Sequence, residues 1–288
     1  MSKNQNWLGL MIGNSRLHFG YFIGAIPQKT WDINHLENKE IKSYFNQEKV
    51  IEKKLKNILE TNNINLNYRI PLLIASVVPE QTAIWQTYPD SELITLNNLP
   101  LQGLYSTLGI DRALAVLGAG TNFGWPILVI DAGTAMTFTG ADAEKKIVGG
   151  AILPGLKLQL SSLSQGTAML PSINIPIELP PRWAKQTTTA IQSGIVYTIL
   201  AGMKDYVISW LEEFPESKIV FTGGDRSILL SHFTTLFPEL AATVIDAPDV
   251  IFWGMVKVWQ QTGHDIIRTY TKKRISVIAS DSEAISNT

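Results

Sequence analysis

The chain has 288 residues, room for two domains of about 120–150 residues each. Hydrophobic residues make up 45% and charged residues 17%, and the net charge of -1 gives no electrostatic reason to expect nucleic acid or an anionic membrane as partner. There is no cysteine, which excludes disulfides and thiolate metal sites. The first six residues are polar and lack the apolar core of a signal peptide. The longest apolar runs, such as 126–132, are of strand length rather than the ~20 residues that span a bilayer, so the expected compartment is the cytoplasm.

Residues 7–20 are an apolar run, a glycine with a small polar neighbour, and then alternating apolar and polar positions, the pattern of two antiparallel strands joined by a tight turn. A third strand is expected at 26–32. The Lys/Glu-rich stretch 48–61 carries Val50, Ile51, Leu55, Ile58 and Leu59 at helical spacing. Arg69–Val78 reads as a buried strand, Pro79 with Glu80 opens a short helix, and 92–96 is a further strand. The small-residue segment 109–121 is a helix that ends the first domain before Gly124-Trp125-Pro126.

The second half repeats the scheme. Strands are expected at 127–132, 134–140 and 146–153, then a helix after Pro154-Gly155. Four prolines make 171–181 a surface loop. A long helix over Thr187–Leu211 buries Ile191, Ile195, Ile199, Leu200, Met203 and Val207. Strand 218–222 runs into Gly223-Gly224, with helices near 225–236 and 248–262, and 271–288 has the composition of a disordered tail. A βββ then αβαβα order, seen twice, is the duplicated actin-like or ribonuclease-H-like α/β fold. It predicts domains over 1–122 and 123–270 with a cleft between them.

The two glycine turns let backbone N–H groups approach an anion, and the neighbouring hydroxyls and amides can bond phosphate oxygens. The second turn has Asp131 two residues before Gly133, where the first has Met11 two residues before Gly13. A carboxylate at the end of a buried strand needs a cation or hydrogen-bond donors, or else caps the turn, and Thr134 can donate to a phosphate or to the turn itself. In Gly109-Ile110-Asp111-Arg112, Asp111 can accept a proton from an alcohol and Arg112 can fork onto a carboxylate; a helix cap with a surface ion pair is the alternative. Phe221-Thr222-Gly223-Gly224-Asp225 can let a purine or ribose lie against backbone, or is an ordinary strand-to-helix turn. His18, His35, His232 and His264 lack metal-ligand spacing and read as surface or packing residues, and Trp253 and Trp259 as core.

Taken in order, these motifs resemble the type III pantothenate kinase family, within the superfamily of acetate and sugar kinases, heat-shock chaperones and actin, over roughly residues 7–262. The resemblance is carried by Ile12–Arg16, Gly109–Arg112, Ile130–Ala135, Gly149–Gly155, Thr167–Pro171, Thr187–Gly194 and Thr222–Gly224. It implies ATP-dependent phosphorylation of pantothenate, with magnesium, a monovalent cation (potassium or ammonium) and a homodimer. Asp111 would be the general base; Gly109, Ile110, Asp111, Arg112 and Thr187 would contact pantothenate, Thr187 on the partner's substrate. Met11, Ile12, Gly13, Asn14, Ser15, Arg16, Leu17, His18 and Thr134 would contact ATP, and Asp131 would bind the cation. Two positions depart from the family pattern. Met11 stands where most members have an aspartate, and Gln102 where most have a tyrosine nine residues before the catalytic aspartate, with Tyr105 six before. Those departures leave open a regulatory relative that senses ligand, or a kinase for another small hydroxy acid.

Overall fold

In the computed structural model, which describes residues 5–37, 48–66 and 68–261, ten strands form two five-stranded sheets. The first contains β1 (Asn6–Ile12), β2 (Leu17–Ile23), β3 (Ile26–Ile33), β4 (Leu72–Ser76) and β5 (Ser91–Leu93) in the order β3-β2-β1-β4-β5. The second contains β6 (Ile127–Ala132), β7 (Ala135–Ala141), β8 (Ile147–Pro154), β9 (Lys218–Thr222) and β10 (Val244–Asp246) in the equivalent order β8-β7-β6-β9-β10. In each sheet three strands form an antiparallel meander and two follow in parallel, as helical crossovers require. This is a duplicated ribonuclease-H-like architecture. The described residues divide into two compact units, one within 5–99, 109–111 and 255–261, the other of 100–108 and 112–254.

In the first unit, Leu8, Leu10 and Ile12 of β1 enter one core with Leu17 and Phe19 of β2, Ile51 and Leu55 of α1 (Glu48–Thr61) and Trp85 of α2 (Pro79–Trp85). The other face of β1 is also covered. Trp7 stacks on Phe22 at 4.3 Å and on Trp259 at 4.8 Å between ring centroids. Burial on both faces explains why β1 reads as an apolar run rather than an alternation.

The second unit holds most of α3 (Ile110–Phe123), α4 (Leu156–Gly166), α5 (Thr187–Glu213), α6 (Arg226–Leu236) and the short α7 (Pro238–Ala241). The helix α8 spans 250–261. Along α5, Ile191, Ile199, Leu200, Met203 and Val207 are buried as the spacing predicts, with Ile195 partly buried and Val196 fully so. Of the two tryptophans assigned to the core, Trp259 is buried, and Trp253 meets Phe123 edge-on at 5.6 Å.

Several boundaries differ from the sequence expectations. β4 is shorter than 69–78 because its hydrogen-bonded run opens only after Pro71, which has no N–H to donate. β5 lies at 91–93 rather than 92–96, since Leu96–Asn98 winds into a 3-10 turn whose Asn98 side chain accepts from Thr95 N at 2.7 Å. β10 was not among the expected elements. The segment 171–181 has no helix or strand, yet Ile173, Ile175 and Leu179 pack on the second core, and His232 donates to the Pro176 carbonyl at 3.2 Å. The expected tail 271–288 and His264 lie outside the described residues.

Candidate active site

In the first unit the turn between β1 and β2 is closed by a bond from Gly13 N to the Arg16 carbonyl, 3.1 Å. Its Gly13 carbonyl accepts from His35 Nε2 at 2.7 Å, which requires that ring nitrogen to carry the proton. Asn14, Ser15 and Arg16 are exposed, whereas the side chains of Met11, Ile12 and Leu17 are buried in the sheet. What Met11, Ile12 and Leu17 can offer a ligand is therefore their backbone. His18 contacts Asp32, and Arg16 Nη1 donates to the other Asp32 oxygen at 2.9 Å. Burial alone would raise the Asp32 carboxyl, but the Arg16 hydrogen bond and the neighbouring His18 outweigh it and hold the pKa below the usual range.

The equivalent turn of the second unit follows Asp131, which is half-buried at the end of β6, paired with Thr137 of β7 and Thr222 of β9. Two glycines elsewhere in the chain make room here. A Cβ on Gly155, the residue before α4, would lie 2.0 Å from the Gly133 carbonyl oxygen. A Cβ on Gly223, after β9, would lie 2.4 Å from Asp131 Oδ1. The Asp225 N–H bonds the Ala132 carbonyl at 2.9 Å, drawing the β9–α6 turn onto the end of β6. Asp225 holds the cap position of α6, though its side chain makes no capping bond. The result is one carboxylate among backbone carbonyls in a glycine-lined cradle, with Thr134 exposed at its rim. Such a set of oxygen acceptors suits a cation, or an ordered water beside a phosphate.

Asp111 lies half-buried in the first turn of α3, where the helix dipole favours a carboxylate. Gly109 is half-buried and the Ile110 side chain is buried. Arg112 is only 8% exposed, so its guanidinium is a buried group. Its Nε donates to Thr139 Oγ1 at 2.9 Å, Nη1 to Tyr105 Oη at 3.2 Å and Nη2 to the Phe138 carbonyl at 3.4 Å. Gly150 is required beside it, since a Cβ there would sit 1.9 Å from the Phe138 carbonyl oxygen and 2.6 Å from Arg112 Nη2. Gln102 does not reach this group. Its backbone bridges to the β7–β8 turn and its Nε2 is directed at the Glu144 carbonyl, while Tyr105, 40% exposed, brings its hydroxyl to Arg112.

Thr187 is the exposed first residue of α5. Sequence reasoning missed Thr139, Gly150 and Gly155 as parts of these sites, although the Gly149–Gly155 segment was among the motifs of the resemblance. Among the described residues no group of three or more His, Asp or Glu side chains is arranged to hold a metal, and no helix is long and apolar enough to cross a membrane.

A duplicated ribonuclease-H-like fold with a glycine turn after the first strand of each sheet defines the actin-like class of proteins. A solved structure from Campylobacter jejuni, described as a Baf family transcriptional activator, shares the fold at a TM-score of 0.58 and 21% identity, covering 89% of this chain and 99% of that one. The family model for type III pantothenate kinase matches residues 7–209. Relatives named type III pantothenate kinase include one from a Nostoc species, 49% identical over 263 residues, covering 88% of this chain and 94% of that protein. Another from a Synechocystis species is 43% identical over 258 residues, covering 89% and 91%. The chain belongs to the type III pantothenate kinase family.

Proposed function

We propose that this protein transfers the γ-phosphoryl group of ATP to pantothenate, giving 4'-phosphopantothenate, the first step towards coenzyme A. The observation that carries the reading is the 49% identity, over 88% of the chain, to a protein named type III pantothenate kinase. The local geometry supports it. Asp111 takes the proton of the substrate's primary hydroxyl as it attacks phosphorus, and Arg112, fixed by Thr139 and Tyr105, orients the substrate carboxylate with Gly109 and Ile110. The backbone of residues 11–18 with Asn14, Ser15, Arg16 and His18, and Thr134 in the second turn, receive the phosphates. The open space beside Gly224 suits the nucleoside.

Magnesium bound with ATP supplies charge neutralisation at the phosphates. Asp131 and the carbonyls crowded around it are the donor set for a monovalent cation, potassium or ammonium. The exposed Met169, Ile177 and Trp183, in the stretch before Thr187, support a homodimer in which Thr187 contacts the partner's pantothenate. In this reading the enzyme works in the cytoplasm.

The position of Gln102 favours one competing reading, a kinase for a different small hydroxy acid. ADP release coupled to an indicator reaction, with pantothenate or other hydroxy acids and with or without potassium or ammonium, separates the two. Pantothenate-dependent ADP release that rises with the cation is expected. Its absence under every cation condition would overturn the assignment.

A further inference from the structure

The next-to-last row of the first sheet before its glycine turn, with Arg16 in the turn itself, carries an organised polar set. Met11 of β1 pairs with His18 of β2, and His18 with Asp32 of β3, so the three side chains project from one face. Met11 is buried, while Asp32 and Arg16 carry their charges outward with His18 beside them. Asp32 gives one oxygen to each neighbour: Oδ2 accepts from Arg16 Nη1 at 2.9 Å, and Oδ1 meets His18 Nδ1. Arg16 is 63% exposed, and among the described residues its side chain makes no other hydrogen bond, so most of its N–H fork faces solvent. The backbone beneath it is fixed by the Gly13–Arg16 bond and by His35 on the Gly13 carbonyl. The strand entering this turn ends without a carboxylate, unlike β6 with Asp131, and beside its backbone, Asn14 and Ser15 the turn presents an anion with the exposed guanidinium of Arg16.

We propose that Asp32 is a positioning residue for nucleotide phosphates: it holds Arg16 at the first turn with its fork already oriented, so that Arg16 grips a phosphate of the bound nucleotide directly. A long arginine side chain otherwise loses its rotamer freedom on binding, and tethering one N–H moves that loss into folding. The inference rests on the ATP-binding reading above.

Calorimetric binding of ATP by wild type, Asp32→Asn, Arg16→Ala and the double variant tests it, with thermal melts and steady-state kinetics alongside. Arg16→Ala is expected to weaken ATP binding about tenfold, as for a lost charge-assisted phosphate contact, and Asp32→Asn about three- to fivefold. The double variant should bind like Arg16→Ala alone, because Asp32 acts through Arg16. KM for ATP should rise in step with the loss of binding, and the melts should not move. Wild-type ATP affinity in Asp32→Asn, losses that add in the double variant, or a drop in melting temperature that accounts for the loss would overturn the positioning role and leave the kinase assignment standing. A wild-type protein that binds no ATP would overturn both.

Discussion

Gly223 and Asp131 are so closely packed that a Cβ on Gly223 would lie 2.4 Å from Asp131 Oδ1, and Gly223 itself adopts a φ of +95°. The carboxylate cradle therefore depends on a glycine directly after β9. Gly223→Ala meets both the steric conflict and a backbone conformation that costs an L-residue about 1–3 kcal/mol. It should lower the melting temperature by several degrees and raise the KM for ATP. Gly224→Ala, where a Cβ would meet nothing within 4 Å of the protein, should leave the melting temperature near wild type. Equal losses of melting temperature in the two substitutions would contradict the close packing of Gly223 on Asp131.

The buried guanidinium of Arg112 makes a second prediction. Thr139→Val keeps the shape of the side chain but removes the acceptor of Arg112 Nε. An orphaned buried donor costs about 1–3 kcal/mol, visible in denaturant unfolding, and a guanidinium free to tilt should raise the KM for pantothenate more than the KM for ATP. Tyr105→Phe removes a bond from a more exposed partner and should cost less stability while acting on the same KM. A change confined to the KM for ATP would contradict the placement of Arg112 at the substrate.

The parts of this arrangement legible in the sequence are those written locally. The two hairpins announce themselves through glycine turns between apolar strands, and α5 through its buried stripe. β10 was not legible, because Val244–Asp246 is three residues long and too short to show a period. The Pro-rich segment 171–181 was read correctly as lacking regular structure, but periodicity could not show that Ile173, Ile175 and Leu179 pack on the second core. Asp111 and Arg112 could be picked out because carboxylate and guanidinium are adjacent in the chain. Their different settings could not, since Arg112 finds Thr139 27 residues away and needs Gly150 beyond that. Asp32 was passed over for the same reason: its partners lie 14 and 16 residues distant, joined only by strand register.

Tyr88 gives a prediction on the stability of the first unit. Its hydroxyl donates to the Ile70 carbonyl at 2.9 Å and accepts from the Ile70 N–H at 3.1 Å, just before β4. Burial pushes its pKa well above the usual tyrosine value, outweighing the opposing effect of the Ile70 hydrogen bond. A folded value raised above the unfolded one means that this contribution to stability is complete below about pH 10 and is lost as the pH rises through the folded value. Phenolate absorbance should therefore show Tyr88 resisting ionisation until the protein unfolds. Tyr88→Phe should remove that resistant group and cost about 1–3 kcal/mol, because both polar groups of Ile70 lose their partner. A Tyr88 that titrates normally in the folded protein would refute its burial.

Trp7 tests the second face of β1. Its ring lies against Phe22 and Trp259 and its Nε1 donates to the Gly24 carbonyl at 2.7 Å. Trp7→Ala should destabilise the fold by about 3–5 kcal/mol, as large-to-small changes of buried aromatic residues do. An unfolding midpoint close to wild type would show that α8 does not cover that face.

The central claim is that Asp111 is the base of a pantothenate kinase, and the most direct measurement is pantothenate-dependent ADP release by Asp111→Asn beside wild type. The substitution keeps the side chain's size and removes its ability to take a proton. Turnover should fall by about 10²–10⁴-fold while ATP binding and melting temperature stay close to wild type. Near wild-type turnover in that variant would contradict the account.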